Sequence, residues 1–404
     1  MEDSPMSYLY SIEKLIGIQE AEKISIEETP EKTVINIRTR RKLHTCPACG
    51  EETNRIHDYR EQRIKDLPAF GKPVELRYHK RRYVCGECGK KYYEKVSWLP
   101  RYGRMTQRMI LKILEMLSEP ITYKSVGKQH GISEQTVARI FDQVRFARPK
   151  LPSVVSIDEF KGNVGGEKYN CIIADPLNKR VLDILPRRND WYLTGYFMKM
   201  SKEYRDRVSI FISDMWQPYQ QTARDIFCNA RRVIDKYHWA RQLTWAFERV
   251  RKDVQKHLSP AYRRYFKRSR FLLLQPFANL SAEDATAVNV MLSVSPSLST
   301  AHFYKEEFQT ILRSSSIADA KMKMDLWIDS ALDCGVAPIV SCAKTMLRWK
   351  KEILNSFTTS CTNGFIEGCN NKIKVLKRVS YGCRNFNRFR NRILFMFAPR
   401  SLTV

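Results

Sequence analysis

Residues 154–160 read Val-Val-Ser-Ile-Asp-Glu-Phe, and residues 209–216 read Ser-Ile-Phe-Ile-Ser-Asp-Met-Trp. Each is a short apolar run, rich in β-branched residues, that meets an aspartate. Runs of this length bounded by polar residues predict buried strands. Sheets built from such strands place ligand chemistry at strand ends, so Asp158 and Asp214 become partners if the two strands are neighbours. A third acid, Glu367, sits in Thr-Asn-Gly-Phe-Ile-Glu-Gly-Cys-Asn-Asn, 153 residues after Asp214. On a helix, Glu367, Asn371, Lys374 and Arg378 share one face, while Ile366, Ile373 and Leu376 share another. The polar face then offers a metal ligand and phosphate contacts together. Nine Lys or Arg and no acid follow Glu367. Three carboxylates so placed can hold two divalent cations against a phosphodiester. Spacing alone leaves the plainer reading open, that these are ordinary acids among 43, with Glu159, Asp175, Asp183 and Asp225 as competitors.

Around these runs the pattern is α/β. Residues 169–174, 180–185 and 231–234 predict further strands, Asp175-Pro-Leu-Asn a turn, and 190–200 a helix. Residues 239–350 read as helices rich in Arg, Phe and Leu, and 358–399 as a basic, helix-like segment. Pro149 and Pro152 mark a linker on the upstream side. Before it, residues 7–19 read as weakly helical and 32–38 as a strand.

Cys46-Pro-Ala-Cys49-Gly and Cys85-Gly-Glu-Cys88-Gly form two knuckles, each with a glycine where a turn needs positive φ. Four sulfurs suit a tetrahedral structural zinc. The knuckles begin 39 positions apart, so a hairpin must fill the gap. A redox dithiol would need no second copy. Arg77, Lys80, Arg81, Arg82, Lys90 and Lys91 would offer phosphate contacts; His44, His57 and His79 read as surface residues. From Met109 the period becomes helical. In 121–141 a short helix ends at Gly131, Ser133 can cap the next, and 134–145 would be a recognition helix. Ile132, Val137 and Ile140 would line its inner side, with Gln135, Thr136 and Arg139 turned outward toward base edges. The plainer reading is a helical hairpin.

The chain has 404 residues, of which 43% are hydrophobic, enough for two to four domains with real cores. Lys and Arg number 70 against 43 Asp and Glu, a formal charge of +27. An excess of that size points to a polyanion, which makes DNA the expected source of the phosphodiester. No apolar run approaches a membrane span, and the start lacks the features of a signal peptide. A soluble, intracellular protein is expected. Eleven cysteines, four of them in the two knuckles, favour a reducing compartment over a disulfide framework.

The order of motifs resembles the bacterial insertion-sequence transposases of the ISL3 type. It runs from the Cys-x-x-Cys pairs through the helix-turn-helix, Ser-Ile-Asp-Glu-Phe, Phe-Ile-Ser-Asp-Met-Trp-Gln-Pro-Tyr and Val-Ile-Asp-Lys-Tyr-His to Thr-Asn-Gly-Phe-Ile-Glu-Gly-Cys-Asn-Asn-Lys-Ile-Lys. The resemblance spans about residues 40–400. It implies a DDE enzyme with an RNase H-like mixed-sheet core interrupted by an all-helical insertion. Asp158, Asp214 and Glu367 would be its catalytic acids and the ligands of two Mg²⁺ (or Mn²⁺), with Asp235 and His238 as accessory residues. The expected division begins with an N-terminal segment (1–40), a zinc ribbon (41–100) and a helix-turn-helix (104–148). The catalytic core follows as two stretches, 152–238 and, with the basic C-terminal segment, 351–404, separated by the helical insertion (239–350). Such an enzyme would bind terminal inverted repeats, then cut and join DNA strands, pairing two ends as a homodimer. Lys374 and Arg378 would add DNA contacts. A catalytically silent DNA-binding regulator and an RNase H-like nuclease are the alternatives.

Overall fold

The computed structural model describes residues 17–398 except Gln19, Tyr102 and Ser269; the helix expected at 7–19 lies outside the described residues, save Gly17 and Ile18. The chain divides into two compact units. Of the described residues, one holds those up to 146 with 378–381 and 395–398, the other 147–377 with 382–394.

In the first unit, β1 (Ala21–Glu28), β2 (Thr33–Thr39), β5 (Ile56–Ala69) and β6 (Lys72–Val84) form a sheet in the order β1-β2-β6-β5, and β7 (Lys91–Tyr93) also pairs with β6. The small strands β3 (His44–Thr45) and β4 (Glu52–Thr53) pair with each other. Alternate residues of the large strands, among them Ile35, Ile37, Ile64, Leu76 and Tyr78, bury one common core. β2 pairs in parallel with β6, so residues 33–39 belong to this sheet. The hairpin expected between the knuckles is long: β5 and β6 run for 14 and 13 residues. Their turn is made by Phe70 and Gly71, both at positive φ (50° and 77°), the geometry of a tight two-residue hairpin.

Three helices follow: α1 (Gln107–Met116), α2 (Tyr123–Gln129) and α3 (Glu134–Phe141). Met109, Ile113, Leu117, Val126, Val137, Ile140 and Phe141 bury their common face. Thr106 caps α1 and also donates to Asp66 on β5 at 2.6 Å, fastening the helices to the sheet. Asp66 is buried and also takes the Arg108 guanidinium at 2.8 Å from Nε. The recognition helix ends at Phe141 rather than 145. Residues after its Asp142 C-cap form a turn, with Arg145 bonded back to the Asp142 carbonyl.

The second unit is built on β8 (Val154–Phe160), β9 (Asn170–Asp175), β10 (Arg180–Leu185), β11 (Ile210–Ser213) and β12 (Arg231–Ile234), in the order β10-β9-β8-β11-β12. The first three form an antiparallel meander, while β8, β11 and β12 run parallel. Helices α4 (Asp190–Met198), α5 (Lys202–Asp206) and α6 (Gln217–Ile226) accompany them. Val155, Ile157, Phe211, Leu193, Phe197 and Tyr219 pack together on one face of the sheet. On the other, Val154, Ile212 and Val233 meet.

Between Lys236 and Leu354 the regular structure is helical: α7 (Lys236–Lys256), α8 (Pro260–Arg268), α9 (Arg270–Leu274), α10 (Ala282–Ser293), α11 (Pro296–Leu312), α12 (Ile317–Leu332) and α13 (Ala337–Leu354). They share a core with Trp239, Phe247, Phe308, Trp327 and Met346. Each such side chain removed from water contributes about 1.5–3 kcal/mol. The basic end expected as one helix is two, α14 (Gly364–Val379) and α15 (Phe386–Phe397), parted by a turn in which Tyr381 and Gly382 take φ of 49° and 99°.

Candidate functional site

Strand register brings the acids together. On the β8–β11 pair Ile212 stands opposite Ser156, and on the β11–β12 pair it stands opposite Val233. Counted on past the last paired positions, the same register would bring Asp214 level with Asp158 and Asp235 level with Asp214, and the charges of Asp214 and Asp235 both act on Asp158. The Asp235 backbone N–H donates to the Ser213 carbonyl at 3.0 Å, so the β11–β12 ladder carries on to that point. Three carboxylate residues thus form a row across neighbouring parallel strands, spaced by about 4.8 Å per strand. Asp158 does not end its strand, as the sequence suggested. The parallel pairing with β11 stops at Ser156, while β8 continues to Phe160 against β9.

Helix α14 is pinned over this row from both ends of its first two turns. Ser156 donates to the Asn363 side chain in a short hydrogen bond, and the Asn363 backbone N–H donates to Asp235 Oδ1 at 2.9 Å. Seven residues on, Asn370 Nδ2 donates to Asp158 Oδ2 at 3.1 Å. Glu367 lies between them, its N–H bonded to the Asn363 carbonyl at 2.9 Å. Positions 363, 367 and 370 fall on one side of a helix, so Glu367 is carried to the row by its neighbours. Its own side chain is exposed. Asn371, Lys374 and Arg378 are exposed too, while Ile366, Ile373 and Leu376 are buried, the division of faces expected of this helix.

Burial raises the Asp158 carboxyl to about 7, aided by the charges of Glu159, Asp214 and Asp235 and opposed by the Glu159 backbone N–H. Burial likewise raises Asp214 to about 7; Glu159 adds to the rise, while the Trp216 N–H and Arg188 oppose it. Asp214 thus acts on Asp158, and Glu159 on both, in a half-buried place whose negative charge a cation would relieve. Burial lowers His238 below the usual imidazole value, with Asp235 and Glu159 opposing, Arg241 reinforcing the fall and Glu367 opposing it. The fields of Glu367 and Asp235 therefore both reach His238.

The competing acids have partners of their own. Glu159 pairs with Arg188 at 2.9 Å and accepts from Tyr219 at 3.2 Å. Asp175 closes the β9–β10 turn by accepting the Leu177 and Asn178 N–H groups, each at 3.1 Å. Asp183 binds Arg390 at 2.6 Å and Tyr196 at 2.7 Å, and Asp225 binds Gln221 at 2.9 Å. Asp235 is buried, caps α7 by accepting from Tyr237 N, and holds Asn363: its carboxylate joins β12, α7 and the start of α14. Sequence reading missed Asn363, Asn370 and Arg188. The first two could have been found, being one helical face with Glu367. Arg188 could not, because its guanidinium is set 4.6 Å from the Tyr169 ring and 4.4 Å from the Trp216 ring by two separate loops.

In the first unit, Cys46 and Cys49 sit between β3 and β4, Cys85 and Cys88 between β6 and β7. Sulfur separations are 3.6 Å for Cys46–Cys88, 3.5 Å for Cys49–Cys85 and 3.5 Å for Cys49–Cys88. Zinc–sulfur bonds of about 2.3 Å in a tetrahedron set sulfurs roughly 3.8 Å apart, so the quartet fits zinc. The Cys49 N–H, with that of Ala48, lowers the Cys46 thiol to about 6, favouring the thiolate that a metal needs. Among the described residues this is the one group of three or more such side chains whose donor atoms all lie within 4.8 Å of one another. The oxygens of Asp158, Asp214 and Glu367 are not gathered so closely.

Ser133 caps α3 by accepting from Thr136 N at 3.2 Å. Gln135 and Arg139 are exposed and Thr136 half-buried, with Arg139 donating to Thr136 Oγ1 at 3.2 Å. Lys90 and Lys91 are exposed, whereas Arg77 pairs with Glu75 and Glu27, and Lys80 and Arg82 lie near the Tyr93 ring. Arg81 is not available for phosphate: it is 3% exposed and bound to Thr39, Glu94 and Glu22. Its neighbours in β6 alternate outward, and its own position points into the sheet's cover. None of the described helices is long and apolar enough to cross a membrane.

Comparisons with known proteins agree along the chain. A family model described as "Transposase", of the DDE, ISL3 type, matches residues 155–393. One for the "zinc-finger of transposase IS204/IS1001/IS1096/IS1165" matches residues 42–88. One for the "Helix-turn-helix domain of transposase family ISL3" matches residues 94–145. Among curated proteins, the chain is 28% identical over 378 residues to the "Transposase for insertion sequence element IS1001" of Bordetella parapertussis, covering 91% of this chain and 92% of that protein.

Proposed function

We infer that this chain, which belongs to the ISL3 family of transposases, binds the terminal inverted repeats of its insertion sequence and catalyses metal-dependent cleavage and strand transfer. One observation carries the catalytic reading. Asp158 and Asp214 continue adjoining parallel strands in register, and Asn370, one turn beyond Glu367, is hydrogen-bonded to Asp158. The strand order β10-β9-β8-β11-β12, antiparallel and then parallel, supports an RNase H-like core, and the helices from Lys236 to Leu354 support residues 239–350 as its helical insertion.

Asp158, Asp214 and Glu367 are the proposed catalytic acids and ligands of the divalent cations, Mg²⁺ being the expected ion. Bound there, the cations would activate the attacking oxygen and stabilise the leaving one in an in-line displacement. The chain's own groups do the positioning. Asn370 holds one oxygen of the Asp158 carboxylate and the Glu159 backbone N–H the other, at 3.1 and 2.8 Å, so its orientation is fixed from both sides. The Glu367 side chain is exposed, on the helix whose Asn370, one turn on, holds Asp158. Asp235 acts through the backbone, fixing where α14 starts, and His238 stands within the field of Glu367. Lys374 and Arg378 continue the exposed face of Glu367 and would meet phosphates, as would Lys90 and Lys91.

Gln135, Thr136 and Arg139 would read base edges from α3, with the zinc ribbon setting its approach. Joining two ends calls for two chains, hence a homodimer on DNA, in the cytoplasm where the nucleoid lies. The test incubates the protein with DNA carrying the flanks of its own gene, with and without Mg²⁺, beside Asp214→Ala. Metal-dependent cuts at inverted repeats, lost in the variant while end binding stays, are expected. Normal cutting by Asp214→Ala would overturn the site.

A further inference from the structure

Helix α7 starts at the carboxylate row, with Asp235 as its N-cap. Its buried side carries Trp239, Leu243, Ala246, Phe247 and Val250. Its other side repeats with a different chemistry at every fourth position: Tyr237, Arg241, Trp245 and Arg249, all exposed. Tyr237 and Trp245 are 52% and 44% exposed, large rings left out of a core that lies one helix face away. The Arg241 guanidinium is set between them, 5.7 Å from the Tyr237 ring centre and 4.6 Å from that of Trp245.

Of the two acids in this helix, Glu248 is buried and bound to Arg251 at 2.7 Å and to Arg270 at 3.1 Å, and Asp253 lies in the last turn, 3.7 Å from Lys256, so from 236 to 252 no exposed acid faces the cations. Aromatic faces alternating with guanidinium groups, about 6 Å apart along the axis, suit a nucleic-acid strand whose bases are unpaired. The rings stack on bases and the cations meet phosphates. Duplex DNA cannot use the rings, because its base faces are already stacked on one another.

We propose that Tyr237, Arg241, Trp245 and Arg249 form a binding track for unpaired DNA, leading the strand toward the row of Asp158, Asp214 and Asp235. This rests on the DNA-processing reading above and names the form of DNA that the site handles. The track makes unpairing near the cut favourable by giving exposed bases a place to stack.

The test uses the full-length, zinc-loaded chain without added Mg²⁺, so that binding is read apart from cleavage. The probes are a fluorescein-labelled 15-nucleotide single strand of mixed sequence and a duplex carrying the ends of the element. The double variant Tyr237→Ala/Trp245→Ala should bind the single strand roughly ten-fold or more weakly, with duplex binding unchanged, and Trp245→Phe should retain most of the affinity. Unchanged single-strand affinity in the double variant would overturn the proposal and leave the rings as surface packing only. So would an equal loss on both probes. Asp214→Ala, if it fails to stop cleavage, sinks the catalytic assignment without touching this result.

Discussion

Asn370 donates to Asp158 at 3.1 Å across 212 positions of sequence. The bond fixes one carboxylate oxygen and, through the helix, sets Glu367 one turn away. Removing it should loosen two acids at once. Asn370→Ala is expected to keep end binding and to slow single-turnover cleavage by about 10- to 100-fold, with a rise in the Mg²⁺ concentration needed. A slower rate with an unchanged metal requirement would mean that Asn370 acts on folding alone. Cleavage at the parent rate would remove it from the site.

The raised values of Asp158 and Asp214, each to about 7, make a stability prediction. The folded state holds these protons more tightly than the unfolded chain, whose aspartates titrate near 4. Their stabilising share is present below about pH 4 and is lost as pH rises through 7. Asp214→Asn abolishes the loss at that position. In zinc-loaded, magnesium-free protein the variant should melt several degrees above the parent at pH 8, with the gap closing toward pH 4. Adding Mg²⁺ should raise the parent's Tm at pH 8 and leave the variant's nearly unmoved. A variant that melts with the parent at both pH values would show that the two acids do not share a buried field.

How legible the site was follows from which residues speak locally. Strands β10 and β12 stand where apolar runs placed them, and α14 divides its faces as its periodicity demands, because burial at those positions is set by neighbours in sequence. The register that aligns Asp214 with Asp158 was not legible, since it depends on which strands pair. Arg81 was misread for the same reason: its charge suggests surface, yet Glu94 and Glu22 offer it partners from other regions of the sheet. The resemblance offers Asp235 as an accessory residue, and its contacts to the Asn363 and Tyr237 backbone N–H groups depend on elements far apart in sequence.

The sulfur quartet predicts one zinc per chain by metal analysis of protein purified under reducing conditions. Cys49→Ser should lose the metal and, with it, specific end binding, because the knuckles join β3–β4 to the long hairpin. Chelation of the parent should do the same reversibly. Stoichiometric disulfides with no zinc would contradict the assignment.

Gly127 sits in α2 against the turn that leads to α3. A Cβ there would lie 2.6 Å from the Ile132 carbonyl oxygen, a backbone atom that cannot step aside without moving the turn. Gly127→Ala should therefore destabilise the helix-turn-helix by about 1–3 kcal/mol and weaken binding to every DNA sequence. Arg139→Ala removes an exposed side chain without strain, so it should leave stability alone and relax discrimination at one base pair, costing about 1–3 kcal/mol there. Competition binding with end duplexes mutated one pair at a time separates the two. If Arg139→Ala weakens all competitors alike, Arg139 contacts the phosphate backbone and the bases are read by Gln135 and Thr136.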